Sequence, residues 1–163
     1  MPPPSLSLPL ADAPATLRAG AALGAALVPG MVVTLAGELG AGKTTFARGV
    51  LRGQGWTGPV KSPTFALVEH YPLSKLYLYH FDFYRFDNAS EWDDSGVAEC
   101  FRPDSVCLVE WPERVAQRLP FPDVAIVLSH AGPLAGRTLD AVATTEAGAQ
   151  CLTALARGMD DSA

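Results

Sequence analysis

The chain has no basic excess, no cysteine framework and no basic, apolar opening stretch, and each of these counts against a class of function. Of its 163 residues, 12 are Lys or Arg and 17 are Asp or Glu, for a formal net charge of −5. Tight, autonomous binding to a nucleic-acid backbone relies on a basic face that displaces counterions, so this balance argues against it. Work on RNA then needs a partner that supplies the positive face, and DNA is not an expected partner. Cys100, Cys107 and Cys151 are odd in number and show no metal-ligand spacing. They read as free, mostly buried thiols of a reducing compartment. The opening Met1-Pro2-Pro3-Pro4 has no basic segment and is broken by prolines, unlike a leader. Residues 19–37 carry no charge, yet Ala and Gly dominate them and Pro29-Gly30 divides them by a turn. No membrane span or membrane partner is expected, and a cytoplasmic protein is.

Nor is there a repeat or an interdomain linker. With 48% apolar and 18% charged residues, the composition is that of a globular chain long enough to bury a core. One domain is expected over 12–163, behind an extended Pro- and Ser-rich segment over 1–11. Asp12 can cap a helix running to about residue 28, with Pro14 in its first turn. Gly20 and Gly24, four apart, give that helix a smooth flank that could approach another backbone. Residues 31–36 read as a strand buried on both faces. A helix follows over 42–52, a loop marked by Gly53, Gly55, Gly58 and Pro59, then strands over 65–71 and 76–81 forming a hairpin. A helix is expected over 91–101 with Ser90 as its cap, a strand over 106–109, and a short helix over 113–118. Strands over 123–129 and 138–144 flank a turn over 131–137, and a helix over 148–158 closes the chain.

Between the strand over 31–36 and the next helix lies Gly37-Glu38-Leu39-Gly40-Ala41-Gly42-Lys43-Thr44, which satisfies G-x-x-x-x-G-K-[ST] at every fixed position. Glycines let a backbone wrap phosphates with its N–H groups turned inward, and the following helix points its positive end at the same anion. Lys43 can span the β- and γ-phosphates, the Thr44 hydroxyl can ligate magnesium, and Thr45 can add a hydroxyl near the α-phosphate. The fold expected is α/β: a single-domain P-loop NTPase with a mixed parallel/antiparallel sheet flanked by helices.

Such a loop needs a carboxylate near its magnesium, usually at the end of a neighbouring strand. Glu110 ends the apolar run 106–109, and Asp82 ends the strand over 76–81. One can bind the metal while the other positions or deprotonates the attacking water, and the residues alone do not allot the roles. Ser62-Pro63-Thr64 offers two hydroxyls on a rigid turn, as a γ-phosphate switch or as ordinary turn chemistry. His80 reads as orienting a loop or as structural, and Trp111 as packing.

Together, the segments 37–45, Lys61-Ser62-Pro63-Thr64, His80-Phe81-Asp82-Phe83-Tyr84-Arg85 and Leu108-Val109-Glu110-Trp111 resemble the TsaE family in order and spacing. The resemblance runs from about Thr16 to the last helix. It implies an ATPase that binds ATP, ADP and Mg2+, turns over slowly alone, and acts with a TsaB–TsaD complex. That machinery threonylcarbamoylates adenosine 37 of tRNAs reading ANN codons, and the partners make most of the tRNA contact. By motif position, Thr44 and Glu110 would hold the magnesium, Lys43 the phosphates, and Asp82 would lie near the attacking water. Thr16 and Arg137 fall on positions near the nucleotide. Residues 91–96 are more acidic and less leucine-rich than the family's usual helix there.

Two other classes fit a P-loop. A small-molecule kinase needs an arginine-bearing lid, for which Arg114, Arg118 and Arg137 are available without a clear lid motif. A non-catalytic, nucleotide-gated binding module would not need both acids. A GTPase is disfavoured because no Asn-Lys-x-Asp motif is present.

Overall fold

A computed structural model describes residues 2–132 and 136–160. One seven-stranded sheet organises it, in the order β1-β7-β6-β2-β5-β4-β3. The strands are β1 (Ser5–Leu10), β2 (Val32–Ala36), β3 (Val68–Pro72), β4 (Tyr77–Asp82), β5 (Ser105–Glu110), β6 (Val124–His130) and β7 (Arg137–Ala143). The four central strands, β6, β2, β5 and β4, are parallel, whereas β3 at one edge and β7 with β1 at the other run antiparallel. The mixed sheet is as expected. The N-terminal segment was expected to be extended; it is also paired, with Leu10 opposite Arg137.

Three helices cover one face: α1 (Ala13–Ala26), α2 (Lys43–Gly53) and α4 (Glu146–Asp160), where α3 is the short helix Ser90–Ser95. Asp12 caps α1, its carboxylate accepting from the Ala15 amide at 2.9 Å, and Pro14 sits in the first turn. The α1 helix has few large side chains, and its glycines explain how it packs. A methyl on Gly20 or Gly24 would be driven into the Phe46 or Val50 carbonyl of α2; one on Gly49 or Gly53 would strike the Leu17 or Ala21 carbonyl of α1. The two backbones therefore lie in direct contact, which fixes α2 and the loop that opens it. Beneath them Leu23, Phe46, Val50 and Leu51 meet Val33, Leu35, Ile126 and Leu139 of the sheet in the larger core. Each large apolar side chain fully buried there is worth about 1.5–3 kcal/mol.

On the other face a smaller core gathers Phe81, Phe83, Trp92, Val97, Val109 and Val115. Here the structure corrects the expected helix over 91–101. It breaks into α3 and a 3-10 turn, Val97–Cys100, at Gly96, whose φ of 76° is left-handed. The break turns both Trp92 and Val97 into the same core. Nor is Ser90 the cap: Asn88 Oδ1 accepts from the Ser90 amide at 3.0 Å, and Glu91 Oε2 accepts from the Asp87 amide at 2.7 Å. The short helix expected over 113–118 is a 3-10 turn, Pro112–Val115. Residues 65–67 are turn rather than strand, and Leu67 has a φ of 72°. The turn expected over 131–137 lies partly outside the described residues, and Arg137 opens β7. Among the described residues no helix is long and apolar enough to cross a membrane. The three cysteines are unpaired, with Cys107 and Cys151 buried and Cys100 half-buried.

Candidate nucleotide site

The glycine loop leaves β2 and enters α2 where the parallel strands end. Gly42 stands immediately before α2 with φ 104°, and no side chain caps the helix. Its first N–H groups are thus available to an anion, in line with the helix dipole. Gly37, at φ 147°, presses against the Leu128 carbonyl, so a side chain fits neither its backbone conformation nor its space. Ala41 is fully buried beneath the loop, whereas Glu38 and Leu39 project from its apex.

Lys43 is only 5% exposed. Its ammonium donates to the carbonyl of Gly37 and, at 3.0 Å, to that of Glu38, so the lysine ties the loop that it belongs to. The same nitrogen lies 4.2 Å from the centroid of the Trp111 ring. Burial holds its pKa below the ordinary lysine value, an effect opposed by Glu110, Asp82 and Glu113. Trp111 reaches it from a left-handed backbone conformation, φ 57° and ψ 50°, immediately after β5.

Strands β4 and β5 deliver the two acids side by side, because Asp82 and Glu110 are paired at the ends of parallel strands. Asp82 is 6% exposed and Glu110 2%. Asp82 is held at both oxygens: Oδ1 accepts from the Tyr84 amide at 2.9 Å and Oδ2 from the Thr64 hydroxyl at 3.1 Å. Thr64 Oγ1 in turn lies 2.7 Å from Ser62 Oγ. Glu110 Oε2 lies 2.6 Å from His80 Nε2. Lys43, Thr44, Thr64, Asp82, Glu110 and Trp111 all line one open cleft of about 280 Å³.

A second hollow of about 310 Å³ shares Gly40, Gly42 and Thr45 with the first and is completed by Asp12, Thr16 and Arg137. Arg137 donates to the Gly40 carbonyl at 3.0 Å, and Thr16 is buried against the far side of Gly42. A larger hollow of about 430 Å³ between Ala36 and Phe121 has Thr34 and Glu113 on its walls but none of the motif residues. Chemistry rather than volume singles out the paired hollows.

The thirteen residues assigned to the nucleotide site from the sequence, residues 37–45 with Thr16, Asp82, Glu110 and Arg137, all belong to the loop or line these two hollows. Three contacts were not foreseen. Trp111 covers Lys43 instead of simply packing, Thr64 bonds to Asp82, and His80 bonds to Glu110 rather than orienting a loop. Alternation along β4 puts His80 and Asp82 on one face, but only the register with β5 brings His80 to Glu110.

A parallel-strand, glycine-loop and helix cradle faced by strand-end carboxylates defines a nucleotide-binding protein of the P-loop NTPase type. The chain belongs to the TsaE family: the family model described as "Threonylcarbamoyl adenosine biosynthesis protein TsaE" matches residues 10–138. It is 40% identical over 124 residues to the tRNA threonylcarbamoyladenosine biosynthesis protein TsaE of Haemophilus influenzae, covering 76% of this chain and 77% of that one. The protein of the same name from Bacillus subtilis is 47% identical over 104 residues, 64% of this chain and 65% of its own. A crystal structure of Bacillus subtilis YdiB superposes with a TM-score of 0.78 at 34% identity, covering 96% of this chain and 97% of that one.

Proposed function

We propose that this chain is a magnesium-dependent ATPase that serves threonylcarbamoylation of adenosine 37 in tRNAs reading ANN codons, acting with a TsaB–TsaD complex. The observation that carries the hydrolytic reading is the pairing of Asp82 with Glu110 on the wall that faces Lys43. A nucleotide-gated binding module would not need both acids.

Lys43 is already desolvated and donates to two loop carbonyls, so a β- or γ-phosphate can replace them as acceptor with little new burial. The uncapped N–H groups of α2 would take the remaining phosphate oxygens. Thr45 and Thr16, together with Arg137, border the hollow beside the loop, which suits the rest of the nucleotide.

The donors fit magnesium. Thr44 brings a hydroxyl, and Glu110 a carboxylate with one oxygen engaged by His80 and one not. Among the described residues no cluster of three or more His, Cys, Asp or Glu could hold a metal. That agrees with an ion held chiefly by phosphates and water plus one or two protein oxygens. When bound, magnesium would neutralise charge on the β- and γ-oxygens. Asp82, tethered by Thr64 and Tyr84, is the group left to orient or deprotonate the attacking water.

Slow turnover alone and stimulation by partners fit a rim that carries exposed apolar side chains. Leu39 is 66% exposed, and Phe65, next to Thr64, is 85% exposed. A net charge of −5 supports leaving tRNA contact to those partners. Unpaired thiols support a reducing compartment such as the cytoplasm.

The test measures phosphate release with and without the TsaB–TsaD complex for wild type, Lys43→Ala and Glu110→Ala. Weak wild-type activity, raised by the complex and lost in both variants, is expected. Rapid phosphoryl transfer to a small metabolite, indifferent to the complex, would instead identify a kinase. Turnover equal in all three proteins would identify a nucleotide-gated module.

A further inference from the structure

We propose that His80 is a positioning residue that fixes the Glu110 carboxylate by one oxygen so that the other is presented to magnesium; this rests on the nucleotide reading above. His80 is fully buried and Glu110 nearly so, and 2.6 Å separates Nε2 from Oε2. Asp82 pairs with Glu110 and His80 with Leu108, so the ring sits diagonally behind the carboxylate, on the side away from the strand ends. The cleft lies at those ends. His80 therefore engages Glu110 from within the protein and leaves its outer side to the ligand.

The other ring nitrogen decides which atom carries the proton. His80 Nδ1 is buried and has no hydrogen-bond partner among the described residues. An N–H there would be an unsatisfied buried donor, which is more costly than a bare nitrogen lone pair in the same place. The carboxylate can only accept, so the arrangement makes Nε2 the donor to Glu110. Donation from Nε2 orients the carboxylate and leaves its second oxygen to a cation. Glutamate also has one more rotatable bond than aspartate, so a strand-end Glu gains more from being held before the metal arrives.

The test is calorimetric titration of ADP into the full chain, with EDTA and then with saturating magnesium, the ratio of affinities being the magnesium-dependent gain. Removing the donor with His80→Phe should cut that gain about tenfold, as loss of an outer hydrogen bond to a metal ligand commonly does. Affinity in EDTA should stay within about twofold, since the phosphate cradle is untouched. His80→Gln places an amide N–H near the site of Nε2 and should restore most of the gain. His80→Asn ends nearer Nδ1, falls short of Glu110 and should not. If His80→Phe fails to fold, the Gln and Asn pair decides the matter. A wild-type gain in both Phe and Asn variants would overturn the inference. So would equal loss of affinity with and without magnesium, unrescued by Gln, which marks a purely structural histidine. Glu110→Gln separates the two levels: if it loses the gain while every His80 variant keeps it, only the role of His80 fails. A wild type that binds ADP with no magnesium-dependent gain would overturn the magnesium site and this inference with it, whereas one that binds no ADP would overturn the nucleotide reading.

Discussion

Lys43 and Trp111 meet over the loop, with the ammonium 4.2 Å from the ring centroid while it holds the carbonyls of Gly37 and Glu38. A desolvated cation–π contact of this kind is worth roughly 1–2 kcal/mol. It must loosen or reorganise when phosphate replaces those carbonyls. Adding ADP and magnesium should therefore change tryptophan emission, and Trp111→Phe should abolish the change. Trp56 packs on Tyr71 and Trp92 lies in the smaller core, so neither should report. An undiminished signal in Trp111→Phe would contradict the contact.

Thr64 is the link between the 62–64 segment and the acid at Asp82. Thr64→Val keeps the shape and removes the hydroxyl. Phosphate release should fall about tenfold or more, roughly 1.4 kcal/mol in the barrier, with ADP affinity nearly unchanged. Steady-state turnover alongside calorimetry checks the split. Equal loss in both would show that the hydroxyl serves binding instead.

The glycine contact between α1 and α2 tolerates no side chain. Gly49→Ala should destabilise the fold by about 1–3 kcal/mol, because the methyl meets the Leu17 carbonyl and the Gly20 backbone. For a chain of this size that lowers Tm by roughly 3–10 °C, which a calorimetric melt measures. Gly55→Ala is the contrast, a strained but open position where the cost comes from its φ of 90° alone.

Burial pushes the Cys107 thiol up to about 12 and that of Cys151 up to about 11. The unfolded thiols ionise near 9, so above that pH the unfolded chain releases protons that the folded chain keeps. Their contribution to stability is complete below pH 9 and is lost progressively as pH rises toward 11–12. Urea midpoints measured from pH 8 upward should fall, and Cys107→Ala should flatten the decline. At pH 8 a thiol reagent should label Cys100 well ahead of the other two.

The parts of the fold set by neighbours in sequence could be read in advance. Asp12 as a cap, the buried runs of β2 and β5, and the loop from Gly37 to Thr44 all depend on contacts a few residues apart. What escaped depends on contacts between segments distant in sequence. Gly96 looked like an ordinary helix residue, yet the shared core around Trp92 and Val97 makes it a break. The contacts of His80 with Glu110 and of Thr64 with Asp82 join residues 30 and 18 apart in sequence, and no local pattern encodes them. The acids were legible because strand ends are local; their partners were not.

The pairing of β1 with β7 has a consequence for how the molecule is made. Among the described strands β1 is made before all the others yet pairs only with β7, which is made after them, and β2 waits for β5 and β6 on either side. Long-range pairing of this kind is slow and leaves strand edges open during synthesis. The nascent sheet cannot close until residues beyond 137 have emerged, and Arg137, which bonds the Gly40 carbonyl, arrives at that same moment. A chain shortened before β7 would thus lose its outer edge and the arginine at the loop in a single step.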